Sequence, residues 1–160
     1  MPPDELPPLA RALGRIPSGL FIVTTVVDGR PAGFLASFVM QASLTPPIVS
    51  VAVGRDRPIL ADLRRAGAFA VSVLDVESRR AMSAFTRRLG DGETPFDRLA
   101  LVRTPAGLPA LAESLAWFEC LIVGEQAAGD GVLVLGEVVA GALLREGEPH
   151  VHLRKNGLSY

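Results

Sequence analysis

The run Leu20-Phe21-Ile22-Val23-Thr24-Thr25-Val26-Val27 is β-branched along most of its length and stops at Asp28-Gly29. An Asp-Gly step between two extended runs is the strongest short-range hairpin signal, because the tight turns that match strand twist need positive φ. A second tight-turn signal, Gly129-Asp130-Gly131, separates the apolar runs 115–123 and 132–139. Turns this short join only antiparallel strands; parallel neighbours need a crossover of a dozen or more residues. The segment 48–74 reads strand, helix, strand, as in a doubly wound parallel sheet, but hairpins lie on both sides of it. The expectation is a mainly β (α+β) chain: an antiparallel barrel with peripheral helices.

Further extended segments are predicted at 30–37, 39–44, 48–53 (after Pro46-Pro47), 68–74 and 151–153. A helix is predicted over 7–15 with Leu9, Ala12 and Leu13 on one face. A second is predicted after Asp56 as cap, with Pro58 in its first turn, Ile59, Leu60 and Leu63 inward, and Gly67 as its stop. A third follows Asp75, carries Met82 and Phe85 inward, and stops at Gly90. Residues 90–112 lack a period and read as loop, anchored by Phe96 and Leu99.

Composition narrows the function classes. With 160 residues, 49% of them hydrophobic, the chain suits one domain with a packed core. The proline-rich residues 1–8 read as a loose tail. A formal net charge of -1 gives no global attraction to nucleic acid or an anionic membrane. No apolar run reaches the roughly 20 residues of a membrane helix, and the start lacks a secretory pattern. Cys120 is the single cysteine, so no intrachain disulfide or CxxC pair can form, and a cytoplasmic setting is expected.

Two stretches carry candidate binding chemistry. Leu35, Ala36 and Ser37 offer small side chains and backbone N–H groups over which a planar ligand could pass closely. Ala42 and Ser43 repeat that chemistry, and Gln41 adds a polar amide. The same residues suit ordinary barrel packing. Arg55 and Arg57 flank Asp56 at a predicted helix start, where free N–H groups, the helix dipole and guanidinium donors favour an anion; a solvated loop with an Asp cap is the alternative. The hydroxyls of Thr24 and Thr25 are explained equally well by β propensity. Trp117, Phe118 and Cys120 read as core. His150 and His152 share a strand face without a third ligand. Glu113 and Glu119 form no recognisable acid pair.

In order along the chain, Pro17-Ser18-Gly19-Leu20-Phe21-Ile22-Val23-Thr24-Thr25, Gly33-Phe34-Leu35-Ala36-Ser37-Phe38, Gln41-Ala42-Ser43-Leu44-Thr45-Pro46-Pro47, residues 67–74, Gly107-Leu108-Pro109, residues 116–120 and Gly136-Glu137-Val138 resemble the flavin reductase-like family. The Gln-Ala-Ser form of the middle motif looks closest to its flavoredoxin-like branch. The resemblance implies a six-stranded antiparallel split β-barrel and a homodimer with FMN, or FAD, near the subunit interface. It implies flavin contacts at Leu35, Ala36, Ser37, Gln41, Ala42 and Ser43, phosphate contact at Arg55 or Arg57, and NAD(P)H as transient co-substrate. An acceptor, small molecule or protein, would take the electrons. Where many relatives carry Gly-Asp-His, this chain has Gly131 in place of the histidine, so one polar contact near flavin or nicotinamide is absent. Leu35 stands where many have Thr, and Ser72 and Ser78 where Asn and Gln are common. Three classes stay open: an NAD(P)H-dependent flavin reductase, a flavin-binding electron carrier without its own nicotinamide site, and a non-catalytic ligand-binding homodimer on the same fold.

Overall fold

The Asp28-Gly29 turn forms with φ of 52° and 73°, as the hairpin signal requires, in the computed structural model, which describes residues 5–158. Of the predicted tail, residues 1–4 lie outside the described residues. In chain order the elements are α1 (Pro8–Leu13), β1 (Pro17–Ser18), β2 (Phe21–Val27), β3 (Arg30–Ala36), β4 (Val39–Leu44), β5 (Pro47–Gly54) and α2 (Pro58–Ala66). They continue with β6 (Ala68–Val73), α3 (Arg79–Thr86), β7 (Leu101–Arg103), β8 (Pro109–Leu111), β9 (Ala116–Ala128), β10 (Gly131–Leu143) and β11 (His152–Leu153). No helix among the described residues is long and apolar enough to cross a membrane.

The main sheet has seven strands in the order β3-β2-β6-β9-β10-β5-β4, every ladder antiparallel. The expected six-stranded barrel is therefore corrected: among the described residues the sheet has one strand more, and no ladder closes it. β5 and β6 lie three ladders apart and run in opposite directions, so the strand–helix–strand segment is not a parallel unit. The two edge strands, β3 and β4, are consecutive in the chain, with only Ser37 and Phe38 between them. Three residue steps span at most about 11 Å, so the sheet must curl until its edges meet at this corner. Phe38 O accepts from Ala52 N at 2.9 Å, tying the corner to β5.

Period-two alternation divides the strands between two cores. Val23, Phe34, Val51, Val53, Phe69 and Val134 join the larger core, which Leu60 and Leu63 of α2 cover. Ile22 and Leu74 face the other way, with Leu35 packed beside them under Ala81, Met82 and Phe85 of α3. Gly136 permits the closest approach inside the larger core: a Cβ there would sit 2.5 Å from Phe69 Cζ and 2.7 Å from Cys120 Cβ.

Helix ends depart from expectation in informative ways. α2 stops at Gly67, whose φ of 69° lets its N–H reach Leu63 O at 2.9 Å. Arg57, not Asp56, occupies its N-cap position, without a side-chain cap bond. Asp75 precedes α3 by a turn and accepts from Ser78 Oγ, Glu77 N and the Arg145 guanidinium. Burial pushes the Asp75 carboxyl up, but the hydrogen bonds from Ser78 and Arg145 overcome this and hold it below its ordinary value. α3 ends at Thr86 rather than near residue 90. α1 buries Ala10 and leaves Leu9 and Leu13 exposed, the reverse of the predicted face. The expected loop 90–112 contains the pair β7–β8, with Phe96 buried as anchor.

Candidate functional site

A cleft of about 620 Å³ opens beside the corner where the sheet fails to close. That size lies within the roughly 300–1,000 Å³ range of small-molecule sites. Strand alternation makes it. On β5, Val49, Val51 and Val53 fill the core, so the intervening Ser50 and Ala52 line the cleft and leave space. On β10, Val132 and Val134 go inward while Leu133 lines the cleft. Ser37, Phe38, Val39 and Met40 supply the corner itself, and Asp130 comes from the β9–β10 turn. Leu13, Ile16, Pro17 and Ser18 bound it from the N-terminal side. Arg154, Asn156 and Leu158 complete it from the segment after β11.

Of the sequence-predicted residues, the structure brings Ser37 to the cleft. Leu35 packs into the smaller core and Ala36 into the larger, because neighbours on a strand buried on both faces part company. Their side chains are therefore not among those that line the cleft. Gln41 and Ala42 lie exposed on edge strand β4, and Ser43 is half-buried, across a register shift between Gln41 and Ser43. Arg55 donates from Nη2 to Gly129 O at 2.8 Å, and its backbone N–H bonds Asp130 O at 2.9 Å. It thus braces the turn that carries Asp130. The Arg57 guanidinium lies 5.0 Å over the Phe34 ring. Neither arginine is among the lining residues.

Among the described residues, the cation that lines the cleft is Arg154, which sequence reasoning missed. Its guanidinium lies 5.1 Å over the Phe38 ring, and its Nη1 is 3.5 Å from Ser37 Oγ. β11 brings it there by pairing with β1, Pro17 with Leu153 and Ser18 with His152. Nothing local in the sequence announces that pairing; only the signal for a last short strand was legible. Burial, with His150 and Arg154 nearby, pushes the His152 imidazole pKa down. His150 sits outside the strand, contrary to the shared-face reading, and its Nδ1 is buried without a hydrogen-bond partner.

Other candidates resolve into structure. Thr24 Oγ1 donates to Pro109 O at 2.6 Å and Thr25 Oγ1 to Ala68 O at 2.7 Å. Ser72 Oγ accepts from Leu111 N at 2.9 Å. Glu119 is buried and accepts from Ala106 N at 2.9 Å. Phe118 packs against the larger core. Cys120 is fully buried, and burial, then the adjacent Glu119, pushes its thiol up to about 12. Gly131 pairs with Gly54 and Ala128 and carries no side chain toward the turn.

Comparison with known proteins identifies the family of the chain. Residues 13–157 match the family model "Flavin reductase like domain". The chain is 34% identical over 157 residues to diflavin flavoprotein A 1 of Synechocystis sp., covering 95% of this chain and 27% of that protein. It is 32% identical over 133 residues to the stachydrine N-demethylase reductase subunit Stc3 of Rhizobium meliloti, covering 82% and 56%. It therefore spans about a quarter of the diflavin relative's length and just over half of the other's. Among solved structures, the Streptomyces globisporus NADH:FAD oxidoreductase SgcE6, determined with NAD and FAD fragments, superposes with a TM-score of 0.80 at 31% identity, covering 89% of this chain and 85% of that one. With its family pattern spanning nearly the whole described chain and its fold matched at that level, this protein belongs to the flavin reductase like domain family.

Proposed function

We propose that this chain binds a flavin nucleotide, FMN or FAD, in the cleft at the Ser37–Phe38 corner and works as an NAD(P)H-dependent flavin reductase. The observation that carries the reading is the make-up of that cleft. Phe38, Val39, Met40, Ala52 and Leu133 offer an apolar slot for a flat ring system. Ser18, Ser37 and Ser50 offer hydroxyls, and Arg154 a cation. This set fits a flavin nucleotide, which combines a planar ring, a polyhydroxy chain and an anionic tail. When bound, the flavin supplies the hydride-accepting chemistry, and the protein's share is placement and exclusion of water. In this reading Ser50 and Ala52 keep the slot open by being small, and Phe38 holds Arg154 in place by stacking. Titration of the purified protein with FMN and FAD, followed by flavin fluorescence, tests the reading. Saturable binding supports it, and failure to bind either flavin refutes it.

A second reading, an electron carrier without its own nicotinamide site, is favoured by Gly131 alone, since no side chain stands where the resemblance implies histidine. Anaerobic addition of NADH or NADPH separates the two: bleaching of the bound flavin's visible band supports the reductase.

The reading extends to assembly. Leu121, Val123 and Val139 stand on β9 and β10 at 48%, 53% and 47% exposure, and we assign this apolar surface to a second copy of the chain. Sedimentation showing a monomer that still binds flavin would contradict that assignment. The electron acceptor is read as a separate protein or a further part of a longer chain, because the diflavin relative carries this module within a much longer one. One domain and a cytoplasmic setting complete the proposal.

A further inference from the structure

We propose that the two ends of the chain form a clasp that flavin binding closes over the cleft and whose parting lets the flavin go; this rests on the flavin reading above. The cleft has two walls of unequal firmness. Ser50, Ala52 and Leu133 stand on β5 and β10, whose ladder runs unbroken from Gly131–Gly54 to Glu137–Ile48 inside the seven-stranded sheet. The other wall comes from the chain ends: Ile16, Pro17 and Ser18 from one, Asn156 and Leu158 from the other.

The two ends are lightly built. Among the described residues of α1 only Ala10 is buried, while Leu9 and Leu13 are exposed, and burying one methyl group stabilises little. β1 and β11 pair with each other, Pro17 with Leu153 and Ser18 with His152, in a two-stranded sheet apart from the main one. Asn156 adopts a φ of 44°, which asparagine tolerates better than most residues, and its Nδ2 donates to Ala10 O at 3.0 Å. Both ends are rooted on the fully buried Leu74: its N–H donates to Leu20 O at 3.0 Å, and its carbonyl accepts from His150 N at 2.9 Å. Parting of the β1–β11 ladder therefore leaves each end hinged at that residue.

A unit of this kind opens at lower free energy than the fold as a whole. A ligand that touches both walls binds the closed form more tightly and so closes it. Ile16 and Leu158 on the clasp, and Phe38 and Met40 at the sheet corner, are exposed apolar side chains that line one cleft. A flat ring among them takes apolar surface of both walls out of water. The Arg154 guanidinium, stacked on Phe38, already joins the clasp to that corner.

Hydrogen exchange of the whole protein, read by mass spectrometry with and without FMN, tests the clasp. Segments 8–18 and 150–156 are expected to exchange together and faster than β9 and β10, and saturating FMN should slow both ends at least about tenfold. Two variants test release by stopped-flow fluorescence. Asn156→Asp sets a carboxylate oxygen against the Ala10 carbonyl and should speed FMN release about tenfold, the size of one lost hydrogen bond. Pro17→Cys with Leu153→Cys joins antiparallel partners, whose Cα atoms lie about 4.5–5.5 Å apart, within reach of a disulfide. Oxidised, this variant should take up and release FMN at least about tenfold more slowly than the same protein reduced. Flavin protection confined to the sheet, unchanged release in Asn156→Asp, or equal rates in the oxidised and reduced double variant overturns the clasp and leaves flavin binding intact. Failure of the wild-type protein to bind FMN or FAD refutes the flavin reading, and the clasp with it.

Discussion

Replacing Gly136 with Ala adds one carbon where the larger core has no space for it. The new Cβ would stand 2.5 Å from Phe69 Cζ, 2.7 Å from Phe69 Cε1 and 2.7 Å from Cys120 Cβ. Contact between carbons is optimal at roughly 3.5–4.0 Å, so the neighbours must retreat by about 1 Å. Phe69 is fully buried and cannot swing out, and Cys120 is held on the adjacent strand. Overpacking of this kind costs about 1–3 kcal/mol, and the rigid backing of both contacts places Gly136→Ala near the upper end. For a domain of this size about 3 kcal/mol corresponds to a fall in Tm of about 6–12 °C. Gly124→Ala is the control on the same hairpin, because its Cβ would meet only Leu135 Cδ1, at 4.0 Å. Thermal unfolding followed by circular dichroism should show a large loss for Gly136→Ala and little change for Gly124→Ala. Adding Phe69→Leu to Gly136→Ala should recover part of the loss beyond the cost of Phe69→Leu alone. Equal melting temperatures for the two single variants would refute the packing argument, and with it the position of β10 against β6 and β9.

The remaining predictions concern the site and its supports. Ser37→Leu fills the corner of the cleft and should weaken flavin binding at least tenfold while shifting Tm only slightly; full retention of affinity in a fluorescence titration would show that the slot lies elsewhere. Arg145→Met strips a partner from the buried Asp75 and should destabilise the protein by about 1–3 kcal/mol, measured by urea unfolding at neutral pH. Because the folded Asp75 carboxyl is held below its ordinary value of 3.8, its stabilisation is present above about that pH and is lost as pH falls through the depressed value. Unfolding curves between pH 6 and about pH 2 should show a steeper acid loss for the wild type than for Arg145→Met. Cys120, its thiol pushed up to about 12, should react with thiol reagents at pH 8 only after denaturant is added; prompt labelling of the native protein would contradict its burial.

The antiparallel architecture was legible because turn chemistry is local. Asp28-Gly29 and the turn before Gly131 fix strand direction wherever they occur, and the β-branched runs between them fix the strands. Legibility stopped where two faces of one strand are both apolar. Around residues 34–36, the sequence cannot tell that Phe34 and Ala36 face one core and Leu35 the other, so Leu35 and Ala36 read alike as slot lining. Arg55 and Arg57 were read from the general preference of helix starts for anions. In the structure each guanidinium has another partner, the Gly129 carbonyl and the Phe34 ring, which no local pattern announces. Arg154 was invisible for the opposite reason. Its place at the cleft depends on pairing between the two ends of the chain, and no local pattern encodes a two-residue ladder. β7 and β8 were missed because strands of three residues, the second opening on proline, leave no period to detect.

The central claim is that the flavin ring lies against Ser37 and Phe38, in the cleft that opens beside the β3–β4 corner. A crystal structure with bound FMN measures this directly. The account predicts density for the ring beside the corner between β3 and β4, bordered by Ala52 and Leu133. Density for the ring at any other surface, with this cleft holding only solvent, would contradict it.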